Sequence, residues 1–337
     1  MPADTAAELT VLLETARAAG QFSAASWAVG SSSGTLGSGV LGTPSEDDAT
    51  PIGPRTRFDL ASVTKPIVGL TLLRLADRGL VALDARVGDV LADWPDGPMA
   101  RADLRSLLTH TSGAPGPTPL FREHEDRDSL LHALARLEFT TPGRWCYSSM
   151  GFIALGLVAE EAGGAGLEAL VHREITGPLE MDDTRYGPVD PGGAVATERC
   201  PWRDRLVRGT VHDENAEVLG GVAGHAGLFG TAEDLGQLGA ALLRGSLLEP
   251  DLQDAMTGRS GGRPLGWWPR ERCGFLDGTF GGSAYGHTGF TGTSLVIDPD
   301  RDRWFCLLTN RVHPTRDPRG FEHVRAGFHA AASRGTW

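Results

Sequence analysis

Ser62-Val-Thr-Lys65 places a hydroxyl and an amine three residues apart at the start of an apolar stretch. At a helix start, positions i and i+3 share one face, so the Ser62 hydroxyl and the Lys65 amine can touch. A neutral or proton-sharing lysine draws the proton from the serine, and the serine then attacks a carbonyl. S-x-x-K alone is a weak pattern that many chains contain by chance. Here the lysine is the sole one in a protein with 31 Lys and Arg residues. Wherever a cation merely solvates a surface, this chain uses arginine, which stays protonated; a partly desolvated lysine can act as a base. The apolar residues that follow would bury the pair.

Two further segments carry chemistry. Tyr147-Ser148-Ser149 follows Thr141-Pro142-Gly143, in a chain whose other tyrosines are Tyr186 and Tyr285. A phenol is a poor base at neutral pH unless a cation stabilises the phenolate, a role Lys65 can fill; taken alone, Tyr147 reads as a half-buried aromatic. His287-Thr288-Gly289-Phe290 precedes an expected edge strand. Gly289 permits close backbone approach to a ligand, and the N–H groups beyond it can bind an oxyanion.

These residues need elements to hold them. Residues 1–20 read as a helix with Leu9, Val11, Leu12 and Leu13 on one face. Residues 25–30 and 40–42 read as a strand pair with a turn at 31–34. A helix is expected from Ser62 through Leu75 to a stop at Gly79, another at Leu104–Leu108 and a third over residues 151–161. Residues 114–128, rich in Pro and charge, suggest a loop over something. Thr231-Ala-Glu-Asp234 looks like a capping box opening a helix through Leu242. Residues 294–297 and 304–308 read as a hairpin around Asp298-Pro-Asp-Arg-Asp302. Strand, helical middle, then strand predicts an α/β (α+β) fold: an antiparallel sheet from both chain ends, flanked by helices, plus an all-helical subdomain. The expected division is 1–60 with 224–337 for the sheet part and 61–223 for the helical part, with Ser62 at their junction.

Composition narrows the function classes. With 337 residues, 40% hydrophobic and 22% charged, the chain can bury a large core. A formal net charge of −12 argues against nucleic acid or an anionic membrane as partner. No apolar run approaches the ~20 residues of a membrane span, and residues 1–20 lack a basic region followed by an apolar one, so a cytoplasmic location is expected. Cys146, Cys200, Cys273 and Cys306 are widely spaced and read as free thiols. The histidines show no compact ligand spacing, so neither metal nor cofactor is expected. Gly30-Ser-Ser-Ser-Gly34 and Gly37-Ser-Gly-Val-Leu-Gly42 mimic a nucleophile elbow and a dinucleotide loop, but neither opens a helix; both read as hairpin glycines. His110 reads as a structural hydrogen-bonder. Asp213 and Asn215, in Val211-His-Asp-Glu-Asn-Ala216, either line the pocket or brace a loop. Trp267 and Trp268 wall the pocket or pack in the core.

Five segments together resemble the serine β-lactamase and penicillin-binding-protein superfamily, in its class C-like branch of esterases, D-aminopeptidases and transacylases. They are Phe58-Asp-Leu-Ala-Ser-Val-Thr-Lys65, Leu107-Leu-Thr-His-Thr-Ser-Gly113, Thr141-Pro-Gly-Arg-Trp-Cys-Tyr-Ser-Ser149, Gly220-Gly-Val-Ala-Gly-His-Ala-Gly-Leu-Phe229 and Gly286-His-Thr-Gly-Phe-Thr-Gly292. The resemblance spans nearly the whole chain. It implies Ser62 as nucleophile, Lys65 and Tyr147 as one coupled proton-handling pair, and Ser149 as a polar neighbour of the lysine. It also implies an oxyanion hole from the backbone N–H groups of Ser62 and Phe290. Where penicillin-recognising members carry Lys-Thr-Gly, this chain has His287-Thr-Gly, and a largely neutral imidazole is a weaker anchor for a carboxylate. The expected partners are a small-molecule acyl donor and either water or an amine or alcohol acceptor. The same residues serve a hydrolase and a transacylase.

Overall fold

The computed structural model describes residues 2–94, 96–276, 278–317 and 320–337. Both ends of the chain build one sheet, as the strand–helix–strand layout predicts. Its strands are β1 (Ala24–Ser31), β2 (Gly34–Gly42), β3 (Trp268–Pro269), β4 (Tyr285–Thr288), β5 (Ser294–Asp298) and β6 (Arg303–Thr309). They lie in the order β2-β1-β6-β5-β4-β3, with every neighbour antiparallel. The glycines at 30–42 are hairpin residues: β1 and β2 flank the turn, and Ser31 pairs with Gly34.

The main helices are α1 (Pro2–Ala18), α2 (Thr64–Asp77), α3 (Ser149–Gly163), α4 (Ala232–Arg244) and α5 (Phe321–Arg334). All eight residues of β1 are buried, because helices cover both faces of the sheet. Trp27, Val29, Phe305 and Leu307 pack with Leu9 and Leu13 of α1 and Phe328 of α5. The alternate residues Ala28, Trp304, Cys306 and Leu308 join Leu235 and Leu238 of α4. The α1 face is narrower than the sequence suggests. Leu9 and Leu13, four apart, are fully buried, but Val11 is 65% exposed. Two residues turn a helix by about 200°, which carries Val11 to the far side.

Helix α4 is capped as expected at its first half only. The Thr231 hydroxyl accepts from the Asp234 N–H at 3.2 Å. The Asp234 carboxylate instead accepts from the Asp183 N–H and the Thr184 hydroxyl. The 114–128 segment is a loop at its start and then forms a short turn at Leu120–Arg122 and a helix at Arg127–Ala135. Helix α2 packs along α3, and Ile67, Val68, Leu72, Leu73 and Leu75 are all fully buried. This apolar helix carries Lys65 into the interior at its first turn.

Candidate active site

The chain reaches Ser62 through a strained turn. Ala61 has φ 48°, a left-handed conformation that a residue with a side chain adopts only when its surroundings enforce it. The Asp59 carboxylate does so: Oδ1 accepts from the Ala61 N–H at 2.8 Å and Oδ2 from the His212 N–H at 2.7 Å. Burial raises the Asp59 pKa above the usual carboxylate range, against the pull of those two donors. A single 3₁₀ turn, Ala61–Val63, then leads into α2. Lys65 is 0% exposed. Its ammonium donates to Ser62 Oγ at 2.9 Å and to the His225 carbonyl at 3.1 Å. The expected serine–lysine contact is therefore present.

Tyr147 stands on the other side of the lysine. Lys65 Nζ lies 5.1 Å from the centre of its ring, a cation–π contact. The ring sits in an aromatic pocket formed by His110 at 4.9 Å, Trp268 at 5.3 Å and His287 at 6.1 Å between centroids. Both imidazoles are neutral, with opposite tautomers. His287 Nδ1 donates to the Thr288 carbonyl at 2.9 Å, and burial, then the Lys65 charge, pushes its pKa well below the ordinary value. His110 Nδ1 accepts from the Ser148 N–H at 3.1 Å. Burial and Lys65 lower its pKa to about 3. His110 is thus a structural hydrogen-bonder, and His287 offers no fixed positive charge.

The turn after β4 is stitched to the Ser62 turn. Thr291 Oγ1 donates to the Asp59 carbonyl at 2.8 Å, and Thr293 Oγ1 to the Leu60 carbonyl at 2.9 Å. Gly289 makes this possible: a Cβ there would stand 2.5 Å from the Leu60 carbonyl oxygen. Its lack of a side chain serves the approach of two protein turns, not the approach of a ligand alone. Buried Arg325 donates to the Gly289 carbonyl at 3.2 Å. In a trans peptide the N–H points opposite to the C=O, so the Phe290 N–H is directed away from Arg325. Among the described residues it has no protein acceptor. The Phe290 side chain is 49% exposed, between the His212 ring and the Arg311 guanidinium.

A family model described as Beta-lactamase matches residues 10–327. The chain belongs to the beta-lactamase family. A curated relative from Bacillus subtilis (strain 168), named N-acetylmuramyl-L-alanine amidase, is 31% identical over 319 residues, spanning 81% of this chain and 72% of that protein. Two solved structures share the fold. EstCE1, described as a hydrolase with promiscuous acyltransferase activity, has TM-score 0.73 and 19% identity over 96% of this chain and 99% of its own. Simvastatin Synthase (LovD) from Aspergillus terreus has TM-score 0.72 and 21% identity over 98% of each chain. This beta-lactamase family member is accordingly a serine hydrolase or acyltransferase.

Within this family member the remaining expected site residues divide. Ser149 is buried at the first position of α3, and its hydroxyl makes no hydrogen bond to Lys65 among the described residues. Asn215 braces a loop: its Oδ1 accepts from the Phe121 N–H and its Nδ2 donates to the Thr118 carbonyl. Asp213 caps the helix Glu214–Val218 and bonds the ring of His225, the residue whose carbonyl accepts from Lys65. Trp267 does not line the pocket; it is buried in the core against Tyr285 at 5.3 Å. Trp268, its neighbour on β3, is the residue against Tyr147 and His287. Trp267 precedes the strand and packs on Tyr285, whereas Trp268 opens it and meets Tyr147 and His287. Asp59, His225 and Thr293 had no assigned role in the sequence. His225 carried one visible signal, a large polar side chain in a run of glycine and alanine.

Proposed function

We propose that the protein is a serine hydrolase that takes an ester or amide of a small metabolite through an acyl-enzyme on Ser62. The observation that carries this is the 2.9 Å contact between Ser62 Oγ and the buried Lys65 ammonium. Ser62 Oγ attacks the carbonyl, and its proton passes to the Lys65–Tyr147 unit, which returns it to the leaving group. The backbone N–H groups of Ser62 and Phe290 stabilise the oxyanion. Water then releases the acid. The curated relative's name, an amidase, supports an amide as well as an ester donor.

The neutral, buried His287 supports a substrate without a carboxylate at that place. A hydrogen bond to a charged partner contributes about 1.5–3 kcal/mol, so its absence costs ~10- to 10²-fold. Steady-state kinetics are expected to give benzylpenicillin a kcat/KM ~10- to 10²-fold below that of a good ester. Efficient turnover of benzylpenicillin by the unmodified protein would contradict this reading of His287.

A transacylase is the second reading, favoured by the Tyr147–Trp268 contact and the pinned loop at Thr118 and Phe121. Both suit a covered acyl-enzyme that survives long enough to meet an amine or alcohol. The names of EstCE1, a hydrolase with promiscuous acyltransferase activity, and of LovD, a synthase, lend it support. Partition of an activated ester between water and a panel of amines, followed by mass spectrometry, separates the two. For the hydrolase, product ratios track solution nucleophilicity. One amine captured at millimolar concentration against ~55 M water, by pre-organised positioning, makes the protein a transacylase.

A further inference from the structure

A buried cation needs a counter-charge or well-placed dipoles. Lys65 is fully buried, and the groups around it supply few of either. His110 and His287 are neutral. Tyr147 offers its ring face, and Ser62 a hydroxyl. The other polar partner is a backbone carbonyl, that of His225.

The position of that carbonyl is elaborately fixed. Residues 223–226 form a tight turn closed by a bridge between Ala223 and Ala226. Gly224 presses the turn onto α3, where a Cβ would lie 1.9 Å from the Phe152 carbonyl oxygen. The His225 ring is 1% exposed, and its Nε2 lies 2.8 Å from Asp213 Oδ1. The same Oδ1 accepts the Ala216 N–H at 2.9 Å. Arg203 holds the backbone leading to Asp213 by donating to the Val211 and His212 carbonyls, each at 3.1 Å. Burial opposes a charge on Asp213, but His225, the Ala216 N–H and Lys65 outweigh it and hold the carboxyl below the usual carboxylate range. Asp213 is therefore an anion, its side chain 37% exposed and in contact with the buried His225 ring.

We propose that Asp213 and His225 are a positioning pair for the reaction: their contact fixes the turn that sets the His225 carbonyl on the Lys65 ammonium, and the Asp213 charge is felt at that ammonium. The inference rests on Lys65 as a member of the proton-handling unit. It assigns Asp213 neither to the substrate pocket nor to loop bracing alone.

Because the chain has a single lysine, protein grown on ¹³C-lysine gives one lysine side-chain NMR signal set, and its titration reads Lys65 directly. Asp213→Asn keeps an acceptor for the Ala216 N–H and removes the charge. An anion favours the protonated lysine, so its removal lowers the titration midpoint, by on the order of one pH unit for a partly screened charge. The limb of the kcat/KM profile that reports the Lys65–Tyr147 unit moves to lower pH with it. kcat falls ~10-fold, with KM within about twofold. Asp213→Ser, which retains a helix cap without charge, gives the same shift and serves if the Asn variant does not fold. His225→Gln, which retains a donor for Asp213, keeps a higher kcat than His225→Leu. An unchanged or raised lysine midpoint in the Asp213 variants overturns the proposal, whatever their activity. The titration needs no turnover, so it stays distinct from a failure of the Ser62 assignment, which shows as normal active-site labelling of Ser62→Ala.

Discussion

Replacing Ser62 with alanine is expected to lower turnover by on the order of 10⁴-fold or more, the scale of nucleophile removal in acyl-transfer enzymes. The substitution deletes one oxygen at a partly exposed position, so it opens no core cavity. Lys65 keeps its bond to the His225 carbonyl, and the strained Ala61 turn keeps its Asp59 clamp. Thermal unfolding should therefore shift by no more than ~1 kcal/mol, within the usual range for such changes. Initial rates with an activated ester, alongside a circular dichroism melt, check both halves. A folded Ser62→Ala protein with more than a few per cent of normal activity is incompatible with Ser62 as nucleophile.

Lys65→Arg is the second large effect. Arginine keeps the positive charge but cannot give up a proton at any accessible pH. If Lys65 carries a proton during acylation, the loss matches that of Lys65→Ala and reaches at least ~10²-fold, the usual size of general acid–base effects. If Lys65 merely neutralises charge, Lys65→Arg stays well above Lys65→Ala. The guanidinium must also fit a site that is 0% exposed. The comparison is therefore made on folded protein, with kcat measured for wild type and both variants on one ester. Near-normal activity in Lys65→Arg would show that charge alone suffices.

The parts of this site that were legible in the sequence are those set by local geometry. Ser62 and Lys65 meet because a helix start brings i and i+3 together, and that needs no knowledge of the rest of the chain. The hairpin β5–β6 and the glycines of β1–β2 were legible for the same reason. Trp267 and Trp268 show where local patterning stops. Trp268 opens β3 and reaches Tyr147, while Trp267, just before the strand, packs on Tyr285, and nothing in the pair says which. Val11 is apolar, but its angular position on α1 turns it to solvent, and composition does not carry that angle.

Long-range contacts were the least visible. Asn215 braces Thr118 and Phe121, nearly a hundred residues earlier. The anchor on Lys65 is a backbone carbonyl, and a backbone group has no signature in the residue type that bears it. In the sequence, Gly289 suggests room for a ligand. A Cβ there would meet the Thr293 hydroxyl first and then the Leu60 carbonyl, so the glycine lets the Phe290 turn close on the turn that carries the nucleophile.

The central claim is a covalent acyl-enzyme on Ser62. The most direct measurement is intact-mass analysis after exposure to a fluorophosphonate, followed by peptide mapping of the adduct. One adduct per chain is expected, mapped to Ser62, and none on folded Ser62→Ala protein. An adduct on another residue, or equal labelling of Ser62→Ala, would contradict it.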